Sequence, residues 1–297
     1  MNVLITGASG FIGSALIRHL LDTDRTVIGL SRKPEPLARR FGNRIKTVAE
    51  LKQIDADTRI DAVVNLAGEP ILDRRWSEKR KQVLYNSRLD TTAAVVELIQ
   101  RLKTKPAVLV SGSAIGYYGS QPDDRMLDEN SEGRNGFTHK LCADWEGRAL
   151  EVQRLGVRVC LLRTGVVLGH GGALKRMLPP FKMALGGPIG SGRQWFSWIQ
   201  LEDMVSLIDF LIQHQVLSGA FNATAPEPVT NAEFSKQLGK VLGRPAILPM
   251  PAFVMRLALG EGAELLCEGQ RVVPVRLQQA GFEFRYPQLD KALAASL

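Results

Sequence analysis

A chain of 297 residues, 45% hydrophobic and 23% charged, can bury a substantial core and is not a disordered polymer. No apolar run approaches the roughly 20 residues that a bilayer-spanning helix needs, and the opening Met1-Asn2-Val3-Leu4-Ile5-Thr6-Gly7 lacks the basic stretch and long apolar segment of a secretory leader. Three scattered cysteines and four distant histidines make neither a disulfide framework nor a zinc scaffold, so the expectation is a metal-free protein of a reducing, cytoplasmic compartment.

Along the chain, Val3-Leu4-Ile5 is a short apolar strand running into a glycine-rich turn, after which Ala15, Leu16, Ile17, Leu20 and Leu21 recur at helical spacing. Residues 26–30 read as a second strand, and 62–66 as another that ends at Ala67-Gly68. Between about 78 and 102, Val83, Leu84, Ser87, Thr91, Val95, Leu98, Ile99 and Leu102 share one helical stripe. A strand follows over 107–110. Phe137, Leu141, Trp145 and Ala149 then sit four apart on one helix face, and 157–162 is the next strand. Continuous β-branched runs alternating with amphipathic helices imply a parallel sheet covered on both faces. Right-handed crossovers make it doubly wound, a Rossmann-type α/β fold.

Residues 169–195 are rich in glycine and proline and carry few strand signals. A helix over 201–212 and a strand over 219–223 come next, and beyond Pro226 two helical patterns and a Pro-punctuated tail suggest a smaller, mostly helical unit. The expected division is a Rossmann domain over 1–168, to which 199–224 returns, and a substrate or cap domain over 169–297. Without a low-complexity linker the two should pack closely.

The sharpest local signal is Thr6-Gly7-Ala8-Ser9-Gly10-Phe11-Ile12-Gly13, set between the first strand and the first helix. Gly7 permits the tight turn, Gly10 lets backbone approach a pyrophosphate, and Gly13 lets helix pack on strand. The free N–H groups of the helix start then face the phosphates. An NAD site expects an acidic residue at the end of the second strand. This chain has Ser31-Arg32-Lys33 there and no carboxylate until Glu35. A 2′-phosphate wants guanidinium and hydroxyl donors, so the cofactor expected is NADP. The net charge of +8 gathers in 32–46 and 74–81. With no aromatic platform interleaved, it reads as solvated faces plus a cofactor phosphate site rather than a nucleic-acid surface.

The glycine pattern, Asn65-Leu66-Ala67-Gly68, Ser111-Gly112-Ser113-Ala114-Ile115-Gly116-Tyr117-Tyr118-Gly119 and Arg163-Thr164-Gly165-Val166-Val167-Leu168-Gly169 together resemble the extended short-chain dehydrogenase/reductases. Gly68-Glu69, Ser87-Arg88, Trp145-Glu146, the 186–192 loop, Trp198-Ile199 and the tail around 249–251, 268–274 and 281–282 are similar to the YfcH-like branch of the NAD(P)-dependent epimerase/dehydratase family. The resemblance covers nearly the whole chain. It implies that Leu66, Ala67 and Gly68 pass beneath the adenosine ribose and pyrophosphate, that Arg88 reaches the phosphates beside Arg32, and that Ser111, Gly112 and Ser113 line the nicotinamide end. It also implies that Val166 and Val167 form a loop flanking the carboxamide, with a small polar metabolite bound in the interdomain cleft. In relatives, dimers form through helices matching those near 82–103 and 138–153.

The family's proton chemistry uses a Tyr-x-x-x-Lys pair on one helix face. This chain departs from it: alignment through Trp145-Glu146 puts Thr138 and Cys142 at those positions. Ser113 matches the serine that polarises the substrate oxygen, and Tyr117 and Tyr118 are the nearest phenols, so these three are the catalytic candidates, with His139 or Lys140 as proton relays. The 187–194 segment lacks the Lys-Ser/Thr of a phosphate loop. It reads as a flexible substrate-side lid, with Trp195, Phe196 and Trp198 either its apolar wall or core between the two parts. Thr6 and Asn65 read as satisfied turn residues. Two functions fit: an NADP(H)-dependent oxidoreductase or epimerase-like enzyme, or a non-catalytic NADP(H)-binding sensor.

Overall fold

The computed structural model describes residues 1–121 and 123–297. Strand β1 (Asn2–Thr6) feeds α1 (Phe11–Asp22) and β2 (Thr26–Leu30). Next come α2 (Pro34–Phe41), β3 (Ile45–Val48), β4 (Ala62–Asn65) and the long α3 (Glu78–Arg101). They are followed by β5 (Val108–Ala114), β6 (Met126–Leu127), α4 (Phe137–Leu150), β7 (Arg158–Thr164) and β8 (Val166–Leu168). After α5 (Gly172–Lys182) the chain forms β9 (Trp195–Phe196), β10 (Trp198–Gln200), α6 (Leu201–Gln213) and β11 (Gly219–Ala223). The tail holds β12 (Val229–Thr230), α7 (Asn231–Leu242), α8 (Ala252–Leu259), α9 (Glu264–Cys267), β13 (Arg271–Val272), α10 (Val275–Gln279) and α11 (Leu289–Ala295).

Seven strands make one parallel sheet in the order β11-β7-β5-β4-β1-β2-β3, the doubly wound α/β arrangement expected. Alternation along β1 sends Val3 and Ile5 to one face and Leu4 to the other. The first face packs on Leu16, Ile17 and Leu20 of α1 and Leu207, Ile208 and Leu211 of α6. The second packs on Val95, Leu98 and Ile99 of α3. The strand order reverses between β1 and β4, and a crevice at the carboxyl edge opens where the order reverses. Gly7 and Leu66 therefore stand at its floor.

The structure departs from the sequence reading in local ways. β3 is an edge strand whose apolar run is broken by Lys46 and Thr47, so it carries no continuous signal. Val83 is 40% exposed, while Thr92, off the proposed stripe, is buried. Residues 172–182 are helical although Pro179 and Pro180 lie inside. Val166 and Val167 lie in a short strand paired with Trp198 and Ile199, not in a loop. The 187–194 segment is tied by hydrogen bonds from Gly190 N to Met250 O at 2.8 Å and from Ile189 N to Asn231 Oδ1 at 2.7 Å, rather than hanging free. Trp198 is fully buried and joins Phe196, Leu174, Phe181, Phe234, Leu238 and Leu293 in a separate core.

The tail is held to the rest of the chain at several places, Asp203 of α6 accepting from the N–H groups of Arg285 and Tyr286 at 2.7 and 3.0 Å at one of them and β6 forming another. β13 pairs with β6, Arg271 beside Met126 and Val272 beside Leu127. The buried Glu129 accepts from the backbone N–H of Asn222 at 3.0 Å and from that of Arg276 at 3.2 Å. Arg276 in turn donates to the carbonyls of Ala220 and Ser218 at 2.6 and 2.7 Å.

On the face covered by α1 and α6, Asp209 of α6 pairs with His19 of α1 at 2.9 Å and with Arg25. Burial pushes its carboxyl up, but the hydrogen bonds from His19 and Arg25 outweigh that and hold it at about 2. A folded value below the usual unfolded one, near 3.9, means stability that is present above about pH 4 and lost as pH falls towards 2. Asp209→Asn should therefore cost roughly 2 kcal/mol at pH 7 and much less at pH 2. Urea midpoints at the two pH values check this; an equal cost at both would rule it out.

Candidate functional site

The glycine turn is built by close approach. Gly7 has φ +65°, and a Cβ there would stand 2.8 Å from the carbonyl carbon and oxygen of Leu66, so both dihedral and space demand glycine. A Cβ on Gly13 would come 2.3 Å from Gly7 O, which brings the first turn of α1 down onto the loop. Gly10 caps α1 with extended backbone, and no acidic side chain sits in that first turn. The opening N–H groups, those of Phe11 and Ile12 among them, therefore have no side chain to satisfy them. The Phe11 ring packs under Gly169, Gly171 and Gly172, whose added Cβ atoms would come within 3.0 Å of it.

Across the crevice, Thr6 Oγ1 accepts from Leu66 N and Ala67 N at 3.1 and 3.2 Å and donates to Asn65 Oδ1 at 2.7 Å. Asn65 donates to Thr92 and Ser111 at 2.9 and 3.3 Å. Thr6 and Asn65 are thus satisfied turn residues, and Ser111 is fully buried behind them. Beneath Gly68 lies the guanidinium of Arg88, whose Cζ a Cβ on that glycine would meet at 3.2 Å. Among the described residues Arg88 donates only to the carbonyls of Leu84 and Glu69 at 3.0 and 3.2 Å, and it stacks 5.4 Å from the Trp145 ring. Burial lowers its proton affinity. An uncompensated cation under a backbone cradle is a place for an anion.

At the end of β2, the Ser31 hydroxyl lies 3.2 Å from that of Ser9 and donates to Lys33 O at 3.0 Å. Arg32 donates to Glu69 Oε1 at 2.9 Å. The sequence showed no carboxylate near this strand end, yet Glu69 arrives there from the loop after β4. Nothing in residue spacing could have signalled this, because the contact depends on β4 and β2 flanking β1.

The nicotinamide-side candidates converge on a residue that sequence reasoning did not single out. Arg163 of β7 grips Glu146 of α4 through Nε and Nη2 at 2.9 and 3.0 Å, and both side chains are buried. Burial works against the Arg163 charge, but Glu146 more than restores its proton affinity. Ser113 donates to Glu146 Oε1 at 2.7 Å. The Tyr117 ring lies 3.4 Å from the Arg163 guanidinium, and Tyr118 Oη accepts from Arg163 at 3.1 Å while donating to Asn222 at 2.7 Å. Burial pushes the Tyr118 phenol up to about 12, and the residue is fully enclosed. It cannot meet a substrate. Tyr117 is half-buried, and its hydroxyl makes no hydrogen bond among the described residues. One signal was available: a charged residue ending the apolar run Val159-Cys160-Leu161-Leu162 requires a partner.

Thr138 and Cys142 pack against Gly116, where an added Cβ would lie 3.2 and 3.7 Å from them. Burial, helped by Glu146, pushes the Cys142 thiol up to about 11, so it carries no charge at neutral pH. His139 is turned onto the Tyr117 carbonyl. Lys140 is exposed and paired with Asp144 at 2.6 Å, which raises its pKa. Among the described residues no group of His, Cys, Asp and Glu could hold a metal ion, and no helix is long and apolar enough to cross a membrane.

Residues 3–223 match the family model for the NAD dependent epimerase/dehydratase family, and residues 250–296 match a domain of unknown function, DUF1731. The chain is similar to the crystal structure of human epimerase family protein SDR39U1 (isoform2) with NADPH, at 37% identity and a TM-score of 0.91, covering 100% of this chain and 99% of that one. It is 43% identical to the chloroplastic SDR39U1 homolog of Arabidopsis thaliana over 99% of this chain and 86% of that protein. It is 44% identical to epimerase family protein ML0860 of Mycobacterium leprae over 98% and 94%.

Proposed function

We propose that this chain, which belongs to the NAD dependent epimerase/dehydratase family, binds NADP(H) along the carboxyl edge of its sheet and uses it on a small polar metabolite in an oxidoreductase or epimerase-like reaction. The observation that carries the reading is the cradle itself: Gly7, Gly10 and Gly13 beside a guanidinium, Arg88, that has carbonyls but no carboxylate for partners among the described residues. The residues fit the group. Phe11 and Ile12 N–H groups and Arg88 would hold the pyrophosphate, with Leu66, Ala67 and Gly68 beneath it. Ser31, Ser9 and Arg32 would hold the 2′-phosphate, and Ser111, Ser113, Val166 and Val167 would border the nicotinamide. The similar human protein was solved with NADPH, which supports the choice. Three free cysteines suit a reducing, cytoplasmic setting.

When bound, the nicotinamide gives or takes a hydride. The chain's own part is proton handling. Ser113 spends its proton on Glu146 Oε1, which Arg163 also grips, and Ser113 Oγ therefore offers a lone pair to a substrate hydroxyl. Tyr117, with its free phenol, is the group that donates or takes the proton, and Tyr118 is a positioning residue that fixes Arg163. The second reading, a non-catalytic NADP(H)-binding sensor, draws on the uncharged Thr138 and Cys142 at the positions of the usual pair. NADPH oxidation screened against carbonyl compounds separates the two. Under the first reading, Ser113→Ala and Tyr117→Phe each lower turnover at least about tenfold with NADPH affinity unchanged. Tight NADPH binding with no oxidation across the screen would favour the sensor.

A further inference from the structure

Three guanidinium groups meet at one residue, Glu69, two of them at its carboxylate and the third at its backbone carbonyl. Glu69 Oε1 accepts from Arg32 at 2.9 Å, Oε2 lies 3.6 Å from Arg80 Nη1, and the Glu69 carbonyl accepts from Arg88 at 3.2 Å. The Glu69 N–H donates to Ser87 Oγ at 3.1 Å, so its backbone is fixed from below. The Arg80 side chain is 12% exposed, and its Nε has no hydrogen-bond partner among the described residues. The cluster holds more positive charge than Glu69 can neutralise and a buried donor lacking an acceptor. Glu69 follows β4 and Arg32 follows β2, so their pair crosses the end of β1, directly over the entrance to the glycine turn.

We propose that Glu69 is a resident counter-anion: it occupies Arg32 until the cofactor arrives, yields it to the 2′-phosphate of NADPH, and thereby sets the ratio of NADPH to NADH affinity. The inference rests on the NADP(H) reading above and adds a specificity residue to it. Arg32 uses one of its five donors on Glu69, and its side chain is otherwise in solvent. A doubly charged phosphate competes for that guanidinium better than a single carboxylate does, but Glu69 stays close enough to repel it. NADH brings only a 2′-hydroxyl, which has no claim on Arg32 and can donate to Glu69. One carboxylate therefore opposes the phosphorylated cofactor and favours the other.

Titration of NADPH and of NADH into wild-type protein, Glu69→Gln and Glu69→Ala, followed by calorimetry at low and high salt, tests this. Removing the charge should tighten NADPH about fivefold at low salt, the size of one unit-charge repulsion across a few ångströms of water. The gain should shrink at high salt, and NADH should bind no better than before. Weaker NADPH binding, or a parallel change for both nucleotides, would make Glu69 a support for Arg32 and overturn the proposal. Should one variant fail to fold, the other decides. Wild-type protein that binds neither nucleotide would overturn the NADP(H) reading itself, a different result from wild-type binding that ignores Glu69.

Discussion

Glu146→Leu should destabilise the fold by about 3–5 kcal/mol, the usual cost of stranding one member of a buried ion pair. Arg163 would keep its charge with no carboxylate, Ser113 would lose the Glu146 acceptor, and the guanidinium would be left with Tyr118 and the Glu129 carbonyl as hydrogen-bond partners among the described residues. The double change Glu146→Leu with Arg163→Met should recover part of that loss, because neither member of the pair is then left as a stranded charge. Ser113→Ala alone should cost about 1 kcal/mol. Chemical denaturation of the three variants decides the matter. A single variant no worse than the double would mean that the pair is solvated and does not anchor the site.

Arg32→Asp should weaken NADPH about a hundredfold and leave NADH within a few fold. The change removes a charge-assisted hydrogen bond to the 2′-phosphate and adds repulsion beside Glu69, together close to 3 kcal/mol in binding. NADH offers no phosphate there, so neither effect reaches it. Paired titrations check the result, and an equal loss for both nucleotides would remove Arg32 from the phosphate site. The side chain is 89% exposed in the structure, so folding should be unaffected and the readout clean.

The sheet and its edge were legible because parallel strands buried on both faces write themselves as unbroken apolar runs, and because the glycine turn needs glycine at fixed offsets. The helix over 172–182 was hidden, since Pro179 and Pro180 read as breakers. At the site, contacts local to one strand end, such as Ser31 and Arg32, could be placed from the sequence. The Arg163–Glu146 and Arg32–Glu69 pairs could not, because each joins elements whose adjacency is fixed only by strand order. Tyr117 and Tyr118 show the limit most plainly. They are neighbours in sequence, yet one phenol is free and the other sealed against Asn222, and a short helical turn offers no periodicity from which to choose between them.

The stitch at Glu129 also bears on how the chain is made. Its two amide donors, from residues 222 and 276, lie 93 and 147 residues further along the chain and so emerge from the ribosome well after it does. Until then the nascent polypeptide holds an acidic group for which the folded state has no other backbone donors among the described residues. The carboxylate therefore completes its contacts only once residue 276 has been made, so this tie forms after all seven strands of the sheet have been synthesised.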